Sequence, residues 1–221
     1  NMELPDRDER DDEAGAILAL LLEQFRTELL RQWKNGRREP EQDFWAKFER
    51  DIGDQLGVLL FGVFLASVRF HSGGSELDQQ AIDAGIPWSS ERARTLAALI
   101  TVTSRDWLTA LLEDIASGQL SDAEIEKRLD RIFGIKRAGV IGGDAITSGQ
   151  TTGGDWAWRM MGTISQDDIW SNRPELSRTG PCPICHSLNG TPRSHWQILY
   201  PLGPPSPHVR CCCEIIPAST P

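Results

Sequence analysis

All five cysteines of the chain fall between Cys182 and Cys213, and a histidine stands among them. The order is Cys182-Pro-Ile-Cys185, a proline-rich run, then His208-Val-Arg-Cys211-Cys212-Cys213. Thiolate sulfur and imidazole nitrogen are the ligands of a tetrahedral Zn2+, which has little geometric preference of its own. A two-residue gap lets one turn aim both side chains at one point, and metal closure would staple the loop between the two pairs. Five candidates, Cys182, Cys185, His208, Cys211 and Cys213, compete for four places. If 211–213 is extended, side-chain alternation puts Cys211 and Cys213 on one face and Cys212 on the other, which leaves Cys212 out. The set read from the residues is Cys182, Cys185, His208 and Cys211, with Cys213 as the alternative ligand. Four protein ligands would close the coordination sphere and make the zinc structural, whereas three and a water would make it catalytic.

Other chemistry is thin. Cys182-Pro-Ile-Cys185-His186 also spells the attachment pattern of a c-type haem, but that electron-carrier reading needs export and a second axial ligand. Gly139-Val-Ile-Gly142-Gly143 lacks the order of a phosphate-binding loop and suits close helix packing better. The four histidines, His71, His186, His195 and His208, accompany no nucleophile elbow. Asp167 and Asp168 are adjacent, so in an extended segment they point apart and cannot share a proton. No active site is legible, and the expectation is that the chain is not an enzyme. The enzyme-class alternative is a metal-dependent hydrolase or nuclease, with an open fourth zinc position near His195 or Asp168.

Stepping outward, the 221 residues are enough to bury about two-thirds of the unfolded surface. A net charge of -9 argues against direct nucleic-acid binding, so contact with nucleic acid is expected to be at most indirect. Asp6, Asp8, Glu9, Asp11, Asp12 and Glu13 read as an acidic disordered tail over 1–13. The start lacks the basic and apolar regions of a secretory signal. The apolar run from Leu56 to Val68 is short of the roughly 20 residues of a membrane span, so no membrane is expected. An odd number of cysteines, three of them adjacent, is a poor disulfide framework, and a reducing compartment fits better.

Helices must position the cluster. Ile17, Leu18, Leu21, Leu22, Phe25, Leu29 and Trp33 predict a helix over 14–34, and Phe44, Phe48, Ile52, Leu56, Leu60 and Val63 predict another from about Pro40 to His71. A third opens at Pro87 and Ser89, striped by Leu96, Ile100, Thr103, Trp107, Leu111 and Ile115, and closes at Gly118. Ser121-Asp-Ala-Glu124 is a capping box before a short helix ending at Gly134. The small-residue stretch 137–154 reads as a close-packing helix or a partly open loop. From Trp156 short extended pieces are expected, with Asn189-Gly190 as a turn between two strands. The fold class is mainly α: a helical body over 14–134, a small C-terminal α+β zinc-stapled module over 135–216, and a linker-like 217–221.

The terminal module resembles the Mu F / SPP1 gp7-like family of phage head morphogenesis (minor head) proteins. That family carries C-x-x-C-x-x-L-x-G, a proline-rich stretch, then P-P-x-H-P-x-C-R-C. Cys182, Cys185, Leu188, Gly190, His208, Cys211 and Cys213 coincide with it. Val209 and Cys212 depart from it, and one extra residue separates Pro204-Pro205 from His208. Upstream, Arg137 to Asp144 keeps the outline of the family's helix but loses an Arg and a Glu. The resemblance implies a virion component, found in the virion or host cytoplasm, incorporated near the portal during capsid assembly and affecting DNA packaging or ejection. It implies the portal and other phage head proteins as partners, with a homo-oligomer as a further option, and in some members an effector domain carried in addition.

Overall fold

The computed structural model describes residues 4–37, 39–41, 43–74, 76–118, 120–172, 183–199, 213–216 and 218. The fold is mainly helical. Helices α1 (Arg7–Lys34), α2 (Phe44–Ser72), α3 (Asp78–Ala116), α4 (Asp122–Phe133) and α5 (Ile135–Met160) come first. Strand β1 (Ile169–Ser171), helices α6 (Pro183–Leu188) and α7 (Arg193–Leu199), and strand β2 (Glu214–Ile216) follow. The chain forms two compact units. A C-terminal unit takes Asn1–Asp8, Leu59–Ser89 and Gly143–Pro221, and a helical unit takes Glu9–Val58 and Ser90–Gly142. Residues 135–142, grouped with the terminal module by sequence, lie in the helical unit.

In the helical unit the apolar stripes of α1 and α2 meet as their periodicity predicts. Leu18, Leu22, Phe25 and Leu29 are buried, as are Phe44, Phe48, Ile52 and Leu56. Phe25 meets Phe44 and Phe48 edge-on at 5.5 and 4.9 Å, the geometry the ring quadrupole prefers. Helix α1 begins at Arg7, so Asp8, Glu9, Asp11, Asp12 and Glu13 are helical rather than a disordered tail. Carboxylates near a helix N-terminus are favoured by its dipole, which sequence-level charge counting overlooks. Ser121 caps α4, its side chain accepting from the Glu124 amide at 3.3 Å.

Helix α3 departs from its expected stripe and start. From Ala93 onward its buried positions are Ala93, Leu96, Ala97, Thr101, Ser104, Leu108 and Leu111, while Ile100, Thr103, Trp107 and Ile115 are half-buried. Small residues set this phase: Ala97 and Ala93 face Gly53 and Gly57 of α2, where an added Cβ would stand 3.5 and 3.8 Å away. The Trp107 ring instead carries the guanidinium groups of Arg131 and Arg137, each 4.7 Å from its centroid. Arg137 also donates to the Ile132 and Ile100 carbonyls, tying α3 to the α4–α5 junction. In the C-terminal unit α3 starts at Asp78, not Pro87, which sits inside the helix. Asp78 accepts from Arg69 through both oxygens at 2.9 and 2.8 Å, and this hydrogen bonding lowers its pKa. The proline costs about 3 kcal/mol in a helix interior. Packing outweighs it: Ala81 is buried, and Gly85 lies so near Phe64 that a Cβ there would be 2.8 Å from the ring.

Helix α5 is helical throughout 135–160, so the small-residue stretch is a packing helix, and Trp156, Trp158 and Met160 lie in its last turns rather than in extended pieces. Within the helical unit a Cβ at Gly142 would stand 2.9 Å from the Gly15 amide of α1. Within the C-terminal unit a Cβ at Gly149 would stand 3.0 Å from the Leu60 carbonyl of α2, and one at Gly153 would overlap the Phe64 carbonyl. Ser67 donates to the Gln150 carbonyl at 2.6 Å across the same contact. Helix α2 is long and apolar enough to cross a membrane by length and composition, yet its stripe through Leu60, Val63, Phe64 and Val68 is buried in these contacts.

Gly149→Val and Gly153→Val are therefore expected to destabilise the chain by about 1–3 kcal/mol or more, because each overpacks a backbone contact. Gly143→Ala meets open space and should be neutral or stabilising by up to about 1 kcal/mol. Urea unfolding of the three variants checks the contrast.

Candidate metal centre

Helix α5 ends at Met160, and two residues on Gly162 has φ of +67°, the left-handed conformation glycine adopts without a Cβ penalty. The Gly162 amide donates to the Arg159 carbonyl at 3.1 Å and the Thr163 amide to the Trp158 carbonyl at 2.9 Å, closing the last turn. The chain then enters β1, which pairs antiparallel with β2 in the register Ile169–Ile216, Trp170–Ile215 and Ser171–Glu214. On its other side the Trp170 amide donates to the Thr191 carbonyl at 2.9 Å, and the Gly190 amide donates to the Trp170 carbonyl at 2.8 Å. Asn189-Gly190 is a turn, with φ of +79° at Gly190, but α6 rather than a strand precedes it.

This framework encloses a small core of Trp170, Cys185, Leu188, Trp196, Cys213 and Ile215, against which Trp158 packs. The rings of Trp170 and Trp196 meet edge-on with centroids 5.5 Å apart. Cys185 and Leu188, three positions apart on α6, are buried, while Pro183, Ile184 and His186 face outward. Cys213 and Ile215, two positions apart at β2, point inward together as the pleat requires. Two of the five candidate ligands, Cys185 and the alternative Cys213, are thus brought into one buried cluster. Cys182, His208 and Cys211, with the excluded Cys212, lie outside the described residues. Among the described residues no three metal-binding side chains converge. Two thiols in one dry core fit half of a sulfur-rich zinc set, since metal neutralises thiolates that an apolar core would otherwise penalise.

Other polar groups weighed on sequence lie near this core. His195 is exposed on the outer face of α7 and Asp167 is exposed, whereas Asp168 is buried. Asp168 is engaged by four donors. The Ser165 amide and Arg193 Nε and Nη2 lie 3.2 Å from Oδ2, and the Ala218 amide donates to Oδ1 at 3.1 Å. Arg193 Nη2 also reaches Asp155 Oδ1 at 2.6 Å, and its amide donates to the Asp168 carbonyl at 2.7 Å. Arg193 is fully buried and lies 4.9 Å from the Trp196 ring. One cation thus joins α5, the residue before β1, and α7. A buried ion is costly unless paired, and here two carboxylates pair it through Nε and Nη2 while Nη1 has no partner among the described residues.

The helical unit has its own concavity, which sequence reasoning missed. An open groove of about 940 Å3 lies among the end of α1, the α1–α2 connection and the last turns of α3. Trp33, Trp45, Leu108 and Leu112 line it, with Arg105 and Glu113 among its charged residues. The buried Gln32 side chain braces one end, accepting from the Glu41 amide and donating to Glu28, both at 2.9 Å. Hydrogen bonds from Arg31 and then Gln32 bring the Glu28 pKa down to about 2. That pairing is complete above pH 4.5 and is lost as the pH falls towards 2. The groove carries neither cysteine nor histidine.

Comparison with protein-family models, curated proteins and solved structures gives no match.

Replacing Arg193 with alanine leaves Asp168 buried without its cation, so a loss of about 3–5 kcal/mol is expected. Tryptophan near-UV signal should report it first, because Trp170 and Trp196 share that core.

Proposed function

We propose that this chain is a phage head morphogenesis (minor head) protein of the Mu F / SPP1 gp7-like kind, its C-terminal unit closed by a structural zinc ion. The observation that carries the metal part is the shared burial of Cys185 and Cys213. They come from opposite sides of the proline-rich segment, as a staple across that segment requires. The family part rests on the residues around them, the C-x-x-C-x-x-L-x-G run and the Pro-Pro, His and Cys residues that follow. Cys182, Cys185 and His208 supply three ligands, and Cys211 or Cys213 the fourth. Four protein ligands would leave no place for a water, so the metal contributes folding energy rather than catalysis. The chain would enter the head near the portal, binding the portal or another head protein and acting on DNA packaging or ejection without reading DNA itself.

Two experiments test these parts separately. Chelation should remove the near-UV contribution of Trp170 and Trp196, which share the core with Cys185 and Cys213, while most far-UV helicity remains; an unchanged near-UV spectrum on metal removal contradicts the structural zinc. Coexpression with the portal and major capsid proteins of the same phage should carry the chain into sedimenting procapsids. A chain left wholly at the top of the gradient contradicts the morphogenesis role.

A further inference from the structure

The ladder between β1 and β2 is three residues on each strand, too short to fix its own alignment. Alignment nevertheless decides where a cysteine goes. A slip of one residue would turn Cys213 and Ile215 out of the core and bring their neighbours in. Asp168, the residue before β1, accepts through Oδ1 from the Ala218 amide, two residues beyond the end of β2. Its other oxygen accepts from Arg193 and from the Ser165 amide, so the carboxylate cannot swing to follow a shifted strand. Both Asp168 and Arg193 are buried, with side chains only 1% exposed, so water offers Asp168 little substitute for the Ala218 amide.

We propose that Asp168, held by Arg193, is the register pin of β2: it determines that Cys213 faces Cys185 across the core. Asp168 and Arg193 are positioning residues in this account, since neither is offered as a ligand. The consequence for metal binding rests on the zinc reading above, whereas the register itself does not.

The test removes the Ala218 N–H; proline also fixes φ at 218 and restricts the residue before it, so a control that keeps the donor accompanies it. Ala218→Pro deletes the donor and leaves the Asp168–Arg193 pair intact, while Ala218→Gly keeps the donor and serves as the control. In the intact chain, hydrogen exchange at the Ile169 and Ile216 amides, a hydrogen-bonded pair of the β1–β2 ladder because Trp170 bonds Thr191 and Gly190 instead, should quicken about tenfold or more in Ala218→Pro, the scale of losing a hydrogen bond to a charged group. It should stay near wild type in Ala218→Gly. Cobalt loaded in place of zinc adds the second readout. In Ala218→Pro the thiolate-to-cobalt charge-transfer intensity should fall by about one sulfur's share, with the tryptophan near-UV signal retained. Unchanged exchange in Ala218→Pro overturns the pin. Faster exchange with full cobalt–sulfur intensity keeps the pin but removes Cys213 from the ligand set. A wild-type chain that takes up no cobalt defeats the zinc reading, and the exchange data still decide the pin.

Asp155→Asn tests specificity. It takes a carboxylate from Arg193 without touching Ala218, so exchange at Ile216 should change far less than in Asp168→Asn. Equal effects from the two would show a general charge requirement and contradict a register role for Asp168.

Discussion

Helix α5 has no side chain at Gly142, Gly149 and Gly153, where other helices approach its backbone closely. Within the helical unit α1 passes at Gly142, and within the C-terminal unit α2 passes at Gly149 and Gly153. Every larger residue would drive these contacts apart, and the buried stripes of α1 and α2 are arranged around them. The helix bears the cost of glycine in its interior, roughly 0.5–1 kcal/mol at each position, because dispersion at short range more than offsets it. The last turns of α5 also bring Trp156 against Phe64 and present Trp158 to the core that holds Cys185 and Cys213.

The region beyond α5 solves a different problem. Its short strands and helices offer little area for burial, and Trp170 and Trp196 are the largest side chains buried there. Two further devices hold it. One is the Asp155–Arg193–Asp168 node, which satisfies backbone donors as well as charge. The other, in the function proposed, is a metal closing the segment between the two cysteine groups. Small domains with little core depend on such staples.

The sequence made some of this legible for clear reasons. Phe44, Phe48, Ile52, Leu56, Leu60 and Val63 are all buried, because a long amphipathic helix leaves an unambiguous period. Ser121 caps α4 because the geometry of a cap is local. Elsewhere local signals conflicted with packing. Pro87 reads as a helix start, yet the burial of Ala81 and the close fit of Gly85 on Phe64 carry α3 through it. The tryptophans at 156 and 158 read as extended, but they complete α5. Arg193 was invisible as a structural centre, since its partners lie 25 and 38 residues away and a lone arginine is ordinarily a surface residue. For the candidate centre, spacing identified the cysteines, and the fold adds that Cys213 shares a core with Cys185.

Zinc-edge X-ray absorption of the chain purified without chelator addresses the central claim most directly. The account predicts about one zinc per chain in a four-coordinate shell dominated by sulfur at about 2.3 Å, with one nitrogen at about 2.0–2.1 Å. A chain without stoichiometric metal, or a shell of oxygen and nitrogen with an exchangeable water, would contradict it.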